Sequence, residues 1–349
     1  MHRMSWVWLL VLLMCGCSFN VKTPVVADYQ KLNTVQLTST KDNIELMLGT
    51  PQGSGLHIAY DTTYPLSFYY GFAGVFTLST AKYDSGTAFI SYDGDSPVHI
   101  LYFTSKASGP EITLNKDLPI KKLVGQLVLG QTNIQTVYDA LGPPDYAGKR
   151  IDRRTGIVHN VAFYDASQPQ NDGAINEKWI LIGYDDQQIT QDLIWVSSRQ
   201  DDITEFGTIE PSQLKQLSRM TVAGFLPVLE PQALSTGTRI DPTQVDALIR
   251  TKPRQIKQIR DILGNPSALG IKSFKGDPPM LLSNWSYSNI EMKGTEHSFV
   301  PTGATEEQRR ELEQAPSYMV MDISQSRLMV GHDQEGIIKE IIWLKPFRP

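Results

Sequence analysis

The feature that most constrains this chain is a phrase it writes three times. Leu-Gly-x-Pro occurs at residues 48–51, 141–144 and 263–266. Each copy closes a short segment of helical periodicity. In the second, "QTNIQTVYDALGPPD", Ile134, Val137, Tyr138 and Leu141 fall on one helical face, and Thr132 with Gln135 has the form of a capping box. Gly142 suits the left-handed residue just past a helix end, and Pro144 cannot continue a helix. The first copy offers Ser39 or Thr40 as cap, Ile44, Met47 and Leu48 as apolar face, and Gly49 and Pro51 as stop. The third turns Ile256, Ile259, Ile262 and Leu263 inward before Gly264 and Pro266 and lacks a clear Ser/Thr cap. A further helical pattern, "DPTQVDALIR", precedes it.

The sequence downstream repeats as well. "FISYDGDSPVHILYFTS", "LIGYDDQQITQDLIWVSS" and "LMVGHDQEGIIKEIIWLK" each read as a strand ending at Tyr-Asp or His-Asp, a polar turn, and a second strand running into Tyr102, Trp195 or Trp343. A period of roughly 90 to 110 residues is too long for a solenoid unit and predicts tandem small domains. Helices in one block and strands in the next predict α+β architecture. The expected organisation is three tandem domains at residues 28–108, 117–200 and 236–349. Each has one or two short helices packed on a three- to four-stranded antiparallel sheet. Residues 201–235 are read as a linker, and residues 293–317 as an insertion found in the third copy alone.

The N-terminus "MHRMSWVWLLVLLMCGCSFN" has one Arg, an apolar run too short to span a bilayer, and then small residues, which is the pattern of a secretory signal. Its end resembles a bacterial lipobox, with Gly16 before the cut and Cys17 as the lipid-attachment residue. Residues 1–16 are then the signal peptide and residues 17–27 a lipidated tether, and Ser18 after the cysteine implies sorting to the outer membrane, facing the periplasm. Cys15 and Cys17 are the only cysteines, so the mature chain can form no intramolecular disulfide and relies on buried apolar area.

Composition and motifs exclude several functions. With 32 Lys+Arg against 37 Asp+Glu and no basic run, the chain has no electrostatic footprint for nucleic acid. The Asp-rich turns lack the ligand spacing of a calcium loop and are read as hairpin turns. His57, His99, His159, His297 and His332 form no zinc motif, and no nucleophile elbow, P-loop or dinucleotide fingerprint is present, so no catalytic residue, metal, cofactor or small-molecule substrate is expected. Two stretches are candidates for partner binding. "YPLSFYYGFAGVF" alternates Phe68, Tyr70 and Phe72 on one strand face with Tyr69 on the other, and the insertion carries a charged helical pattern that includes Arg309 and Arg310.

A short helix, Leu-Gly-x-Pro, an aromatic strand such as "NWSYSNIEM" and a strand, turn and strand behind a lipobox together resemble the BamE (SmpA/OmlA) family of outer-membrane assembly lipoproteins, here in three copies. The fold implied is similar to that of tandem β-lactamase-inhibitor proteins. The resemblance implies a non-catalytic periplasmic scaffold that binds envelope proteins, those of outer-membrane assembly or secretion machinery among them. The alternative it implies is a proteinaceous inhibitor of a periplasmic or secreted hydrolase.

Overall fold

A computed structural model describes residues 29–59, 61–76, 81–105, 118, 123, 127–169, 175–198, 240–296 and 318–346. Three copies of one unit follow each other along the chain. In the first, helix α1 (Lys41–Leu48) leads into β1 (Gly53–Ala59), β2 (Thr62–Phe76), β3 (Ala81–Asp93) and β4 (Ser96–Ser105). In the second, α2 (Ile134–Leu141) leads into β5 (Tyr146–Asp152) and β6 (Ile157–Asp165). The two-residue pair β7 (Gln168–Pro169) and β8 (Ile175–Asn176) intervenes before β9 (Lys178–Tyr184) and β10 (Thr190–Ser197). In the third, α3 (Pro242–Arg250) and α4 (Ile256–Leu263) lead into β11 (Ala268–Phe274), β12 (Met280–Glu296), β13 (Tyr318–His332) and β14 (Ile338–Pro346).

The three sheets do not stay separate. β4 pairs with β5, β10 with β11 and β14 with β1, all antiparallel, so the three meanders join edge to edge into one closed barrel of 12 strands. This corrects the expectation of three tandem α+β domains, and with it the BamE-like tandem architecture that the resemblance implied. The physical reason lies at the strand edges. A four-stranded meander standing alone exposes two rows of unpaired N–H and C=O groups, and only closure satisfies every row.

The helix-stop phrase has a conformational cause. Gly49, Gly142 and Gly264 sit at φ of 86°, 80° and 76° with ψ near 180°, a region open to glycine almost alone. Around Gly142 and Gly264 a Cβ would meet nothing within 4 Å among the described residues, so backbone conformation rather than space demands glycine. Their carbonyls are also anchored. Tyr164 Oη donates to Gly142 O at 2.9 Å, and Trp285 Nε1 donates to Gly264 O at 3.1 Å, from equivalent positions on β6 and β12. Gly142→Ala is therefore expected to cost of order 1–3 kcal/mol in a urea melt while leaving the barrel closed.

Helix starts are set by side chains. Thr40 Oγ1 accepts from Asn43 N, and Asp241 Oδ1 from Thr243 N ahead of Pro242. The cap of α2 is Asn133, one residue later than the expected Thr132, whose hydroxyl instead accepts from Val128 N. In the third copy Gln258 Oε1 accepts from Gln255 N, which replaces a Ser/Thr cap.

The helices take the outward face of the barrel. Ile44 and Leu48 pack on Tyr69, Ile90, Ile100 and Tyr102. Ile134 and Val137 pack on Ile180, Ile182 and Trp195, and Ile259 and Leu263 on Trp285, Val330 and Trp343. Each cluster also reaches over a seam. The first takes in Ile151 of β5, the second Leu269 and Ile271 of β11, and the third Leu56 and Ile58 of β1. Outward positions away from the helices include Ser54, Thr63, Pro65 and Lys149, all exposed.

Candidate functional site

Strand alternation assigns the opposite face to the lumen. Its concavity shows in contacts between strands three places apart in the ring, where β1 meets β4, β5 meets β10, and β11 meets β14. These contacts lie at the end of the barrel formed by the turns β1–β2, β3–β4, β5–β6, β9–β10, β11–β12 and β13–β14.

The residues making them occupy equivalent positions. Six residues after each helix-stop glycine stands a second glycine, Gly55, Gly148 or Gly270, and two residues further a basic side chain, His57, Arg150 or Lys272. On the last strand of each copy the matching lumen positions are His99, Asp192 and Glu340. Within the third copy Lys272 Nζ lies 2.5 Å from Glu340 Oε2. Within the second, Arg150 Nη1 lies 2.8 Å from Asp192 Oδ1. Within the first, the His57 and His99 rings lie 4.6 Å apart, with Tyr64 edge-on to His99. Further contacts join the ring: His57 Nε2 to Glu340 Oε1 at 3.0 Å, His159 Nδ1 to Asp192 Oδ2 at 2.5 Å, and His99 Nδ1 to Asp152 Oδ2 at 3.3 Å. Gly183 makes room for the fully buried Asp192, whose Oδ2 lies 2.0 Å from where a Cβ would stand.

Past this girdle the lumen is apolar, lined by Leu101, Val161, Leu181, Ile194, Leu282, Met329 and Ile342. Its packing differs from the outward layer. Ile100, Trp195, Leu328 and Trp343 are at most 1% exposed under the helices, whereas on the lumen side Leu101, Ile194, Met329 and Ile342 keep accessible surface around Val161, Leu181 and Leu282, which are at most 2% exposed. About eight strands give a barrel that side chains can fill, and twelve leave room to spare. The far end is polar again. The buried Glu177, one residue before β9, accepts from Arg327 Nη2 at 2.9 Å and from Asn284 Nδ2. Asn284 Oδ1, Trp179 Nε1, His99 Nε2 and Arg150 Nη2 are buried without a hydrogen-bond partner among the described residues, and all four belong to lumen-facing side chains.

The girdle has an acid limb. Burial acts to raise the pKa of Glu340, but Lys272 and His57 outweigh it and hold the carboxyl well below the usual carboxylate range. Asp152 is pushed down to about 2, against burial, by His99 and the backbone N–H groups of Arg154 and Thr155. A depressed folded-state pKa contributes stability that is complete above the unfolded value, near 4, and is lost as the pH falls through the folded one. Denaturation midpoints are therefore expected to hold down to about pH 4 and then fall steeply toward pH 2, with Asp152 alone accounting for roughly 2 kcal/mol. Asp152→Asn should flatten that limb.

The residues singled out from sequence fall in different places. Phe68 faces the lumen, 5.0 Å from Phe89, and Tyr69 is fully buried under α1 at the position where Tyr164 and Trp285 hold the helix-stop carbonyls. Tyr70 and Phe72 lie on β2 with side chains outside the described residues. Cys17, Arg309 and Arg310, the linker at 201–235 and most of the insertion at 293–317 also lie outside them. The histidines that spell no motif in sequence are brought together, His57, His99 and His159 each against a carboxylate. Among the described residues no group of three or more His, Cys, Asp or Glu is arranged to hold a metal ion. The signal that could have revealed the girdle is the fixed offset from Leu-Gly-x-Pro to the second glycine and the basic residue after it. Compared with known proteins, the chain matches no family model, and no curated protein is significantly similar to it.

Proposed function

We propose that this is a non-catalytic envelope protein, held at the outer membrane by lipid on Cys17 and facing the periplasm, whose working part is the barrel lumen: it encloses the apolar chain of an amphiphile. The observation that carries the reading is the accessible surface kept on the lumen side by Leu101, Ile194, Met329 and Ile342, whose outward neighbours on the same strands are sealed under the helices. A waist of Leu, Ile, Val and Met closed by polar groups at both ends matches the usual make-up of a small-molecule site, mostly apolar with few polar contacts. This departs from the expectation that the chain takes no small molecule. A membrane-spanning barrel would need an apolar outward band about 25 Å tall. Here that face is occupied by helices and by Ser54, Thr63 and Lys149, which favours a barrel standing in the periplasm. Envelope proteins enter the reading as donors or acceptors of the enclosed chain. The inhibitor alternative needs concave sheets offered to an enzyme, and in a closed barrel those faces turn inward.

The test uses the mature chain carrying Cys17→Ser, purified without detergent and titrated with the neutral fluorescent probe N-phenyl-1-naphthylamine. Saturable binding, displaced by dodecanol and abolished by the lumen-filling change Ile194→Trp, is the expected result. Absence of saturable binding, together with no stoichiometric amphiphile in organic extracts of protein taken from cells, would end the reading.

A further inference from the structure

The three-fold pattern of the girdle is broken at one place. At the seam of the third and first copies, Glu340 on β14 lies diagonally across from His57 on β1, and the two are in contact. At the seam of the second and third copies, Asp192 on β10 stands diagonally across from Lys272 on β11. Both seams thus place a carboxylate on the last strand beside a basic residue on the first. At the seam of the first and second copies the last-strand position is His99, diagonally across from Arg150. No carboxylate occupies that last-strand position.

Two of the buried polar atoms left without partners among the described residues fall at the same seam. Arg150 uses Nη1 on Asp192 and leaves Nη2 unpartnered, while His99 uses Nδ1 on Asp152 and leaves Nε2 unpartnered. The acids nearby are already engaged: Asp192 by Arg150 and His159, and Asp152 by His99 and the N–H of Arg154. The guanidinium carbon of Arg150 lies over the Phe274 ring, 4.4 Å from its centroid. Diagonal neighbours on adjacent strands are about 7–8 Å apart, a span that a carboxylate or phosphate can bridge. An anion there accepts from Arg150 Nη2, and from His99 Nε2 when that nitrogen carries a proton. From His99 to Phe103 the strand then runs roughly 13 Å along the apolar waist.

We infer that the enclosed amphiphile has an anionic head, carboxylate or phosphate, which sits between Arg150 and His99 and stands in for the carboxylate that the last strand of the first copy lacks. The inference rests on the lumen being a receptacle and adds the head-group chemistry and its place. Laurate, dodecyl phosphate, dodecanol and dodecyltrimethylammonium share one chain length and differ in the head. In competition against the neutral probe, the two anions are expected to displace it at concentrations about tenfold below dodecanol, with the ammonium weakest. Arg150→Lys keeps a cation for Asp192 but loses the second donor, and together with His99→Leu it should bring anions and alcohol to within about twofold while the probe still binds. A preference for one anion over the other identifies the head. Equal displacement by all four, or preference for the ammonium, overturns the inference and leaves the lumen reading standing. Should the probe fail to bind, direct calorimetric titration with laurate and with dodecanol replaces it, and heat from neither removes both proposals.

Discussion

Gly148→Val is expected to prevent the barrel from closing between the first and second copies. A Cβ at Gly148 would lie 1.8 Å from the carbonyl oxygen of Tyr102, on the neighbouring strand across the seam. Gly55 meets Trp343 O at 1.8 Å and Gly270 meets Trp195 O at 2.0 Å in the same way, so each seam has one position where backbone approaches backbone with no room for a side chain. Backbone cannot swing aside as the end of a lysine can. Relief requires separating two strands that are paired from Ser105↔Tyr146 to His99↔Asp152. The cost should exceed about 4 kcal/mol, the range reserved for a few named mechanisms of which overpacking is one. The outcome to measure is loss of the cooperative urea transition, with hydrogen-exchange protection lost first in β4 and β5, and self-association through the newly exposed edges. Gly142→Ala is the control: it strains one residue's conformation without a clash and should leave exchange at the seams unchanged. A valine at Gly148 that melted like the native protein would mean that the seam is not a closed ladder.

Much of one copy could be read from sequence, and little of how three copies combine. Helix stops, hairpin turns and the buried aromatics Tyr102, Trp195 and Trp343 follow from local rules, because period, capping and backbone conformation act within about ten residues. Barrel closure does not. Whether Ser105 pairs with Tyr146 of the next copy or faces water depends on edges that meet only after three units have formed. The lumen was hidden for the same reason: Arg150 and Asp192 are 42 residues apart and Lys272 and Glu340 are 68, and each strand alone shows one ordinary polar residue near its end. Tyr69 shows how an aromatic can mislead. It looks surplus to a small domain, yet it stands where the other copies fasten the helix to the sheet.

The second large effect concerns a pair of charges inside the lumen. Lys272 and Glu340 have side chains only 14% and 12% exposed, and His57 is the other partner of the carboxylate. Two charges removed from water are costly to desolvate, and their attraction offsets that cost only while both are present. Lys272→Met should therefore destabilise the barrel by about 3 kcal/mol at neutral pH, the lower part of the range for breaking a buried pair, since His57 still answers the carboxylate. Glu340→Leu should cost a similar amount by leaving Lys272 without its acid. The double replacement removes both desolvation costs and fills the space with apolar atoms, so it should recover most of the loss and give a coupling energy of opposite sign to the single effects. It should also leave the acid limb governed by Asp152, because the depressed carboxyl of Glu340 no longer contributes. If the two single losses simply added in the double variant, the ion pair would not be the interaction holding this end of the barrel. Asp192, which is wholly buried against Arg150 and His159, would then be the next to test by Asp192→Asn.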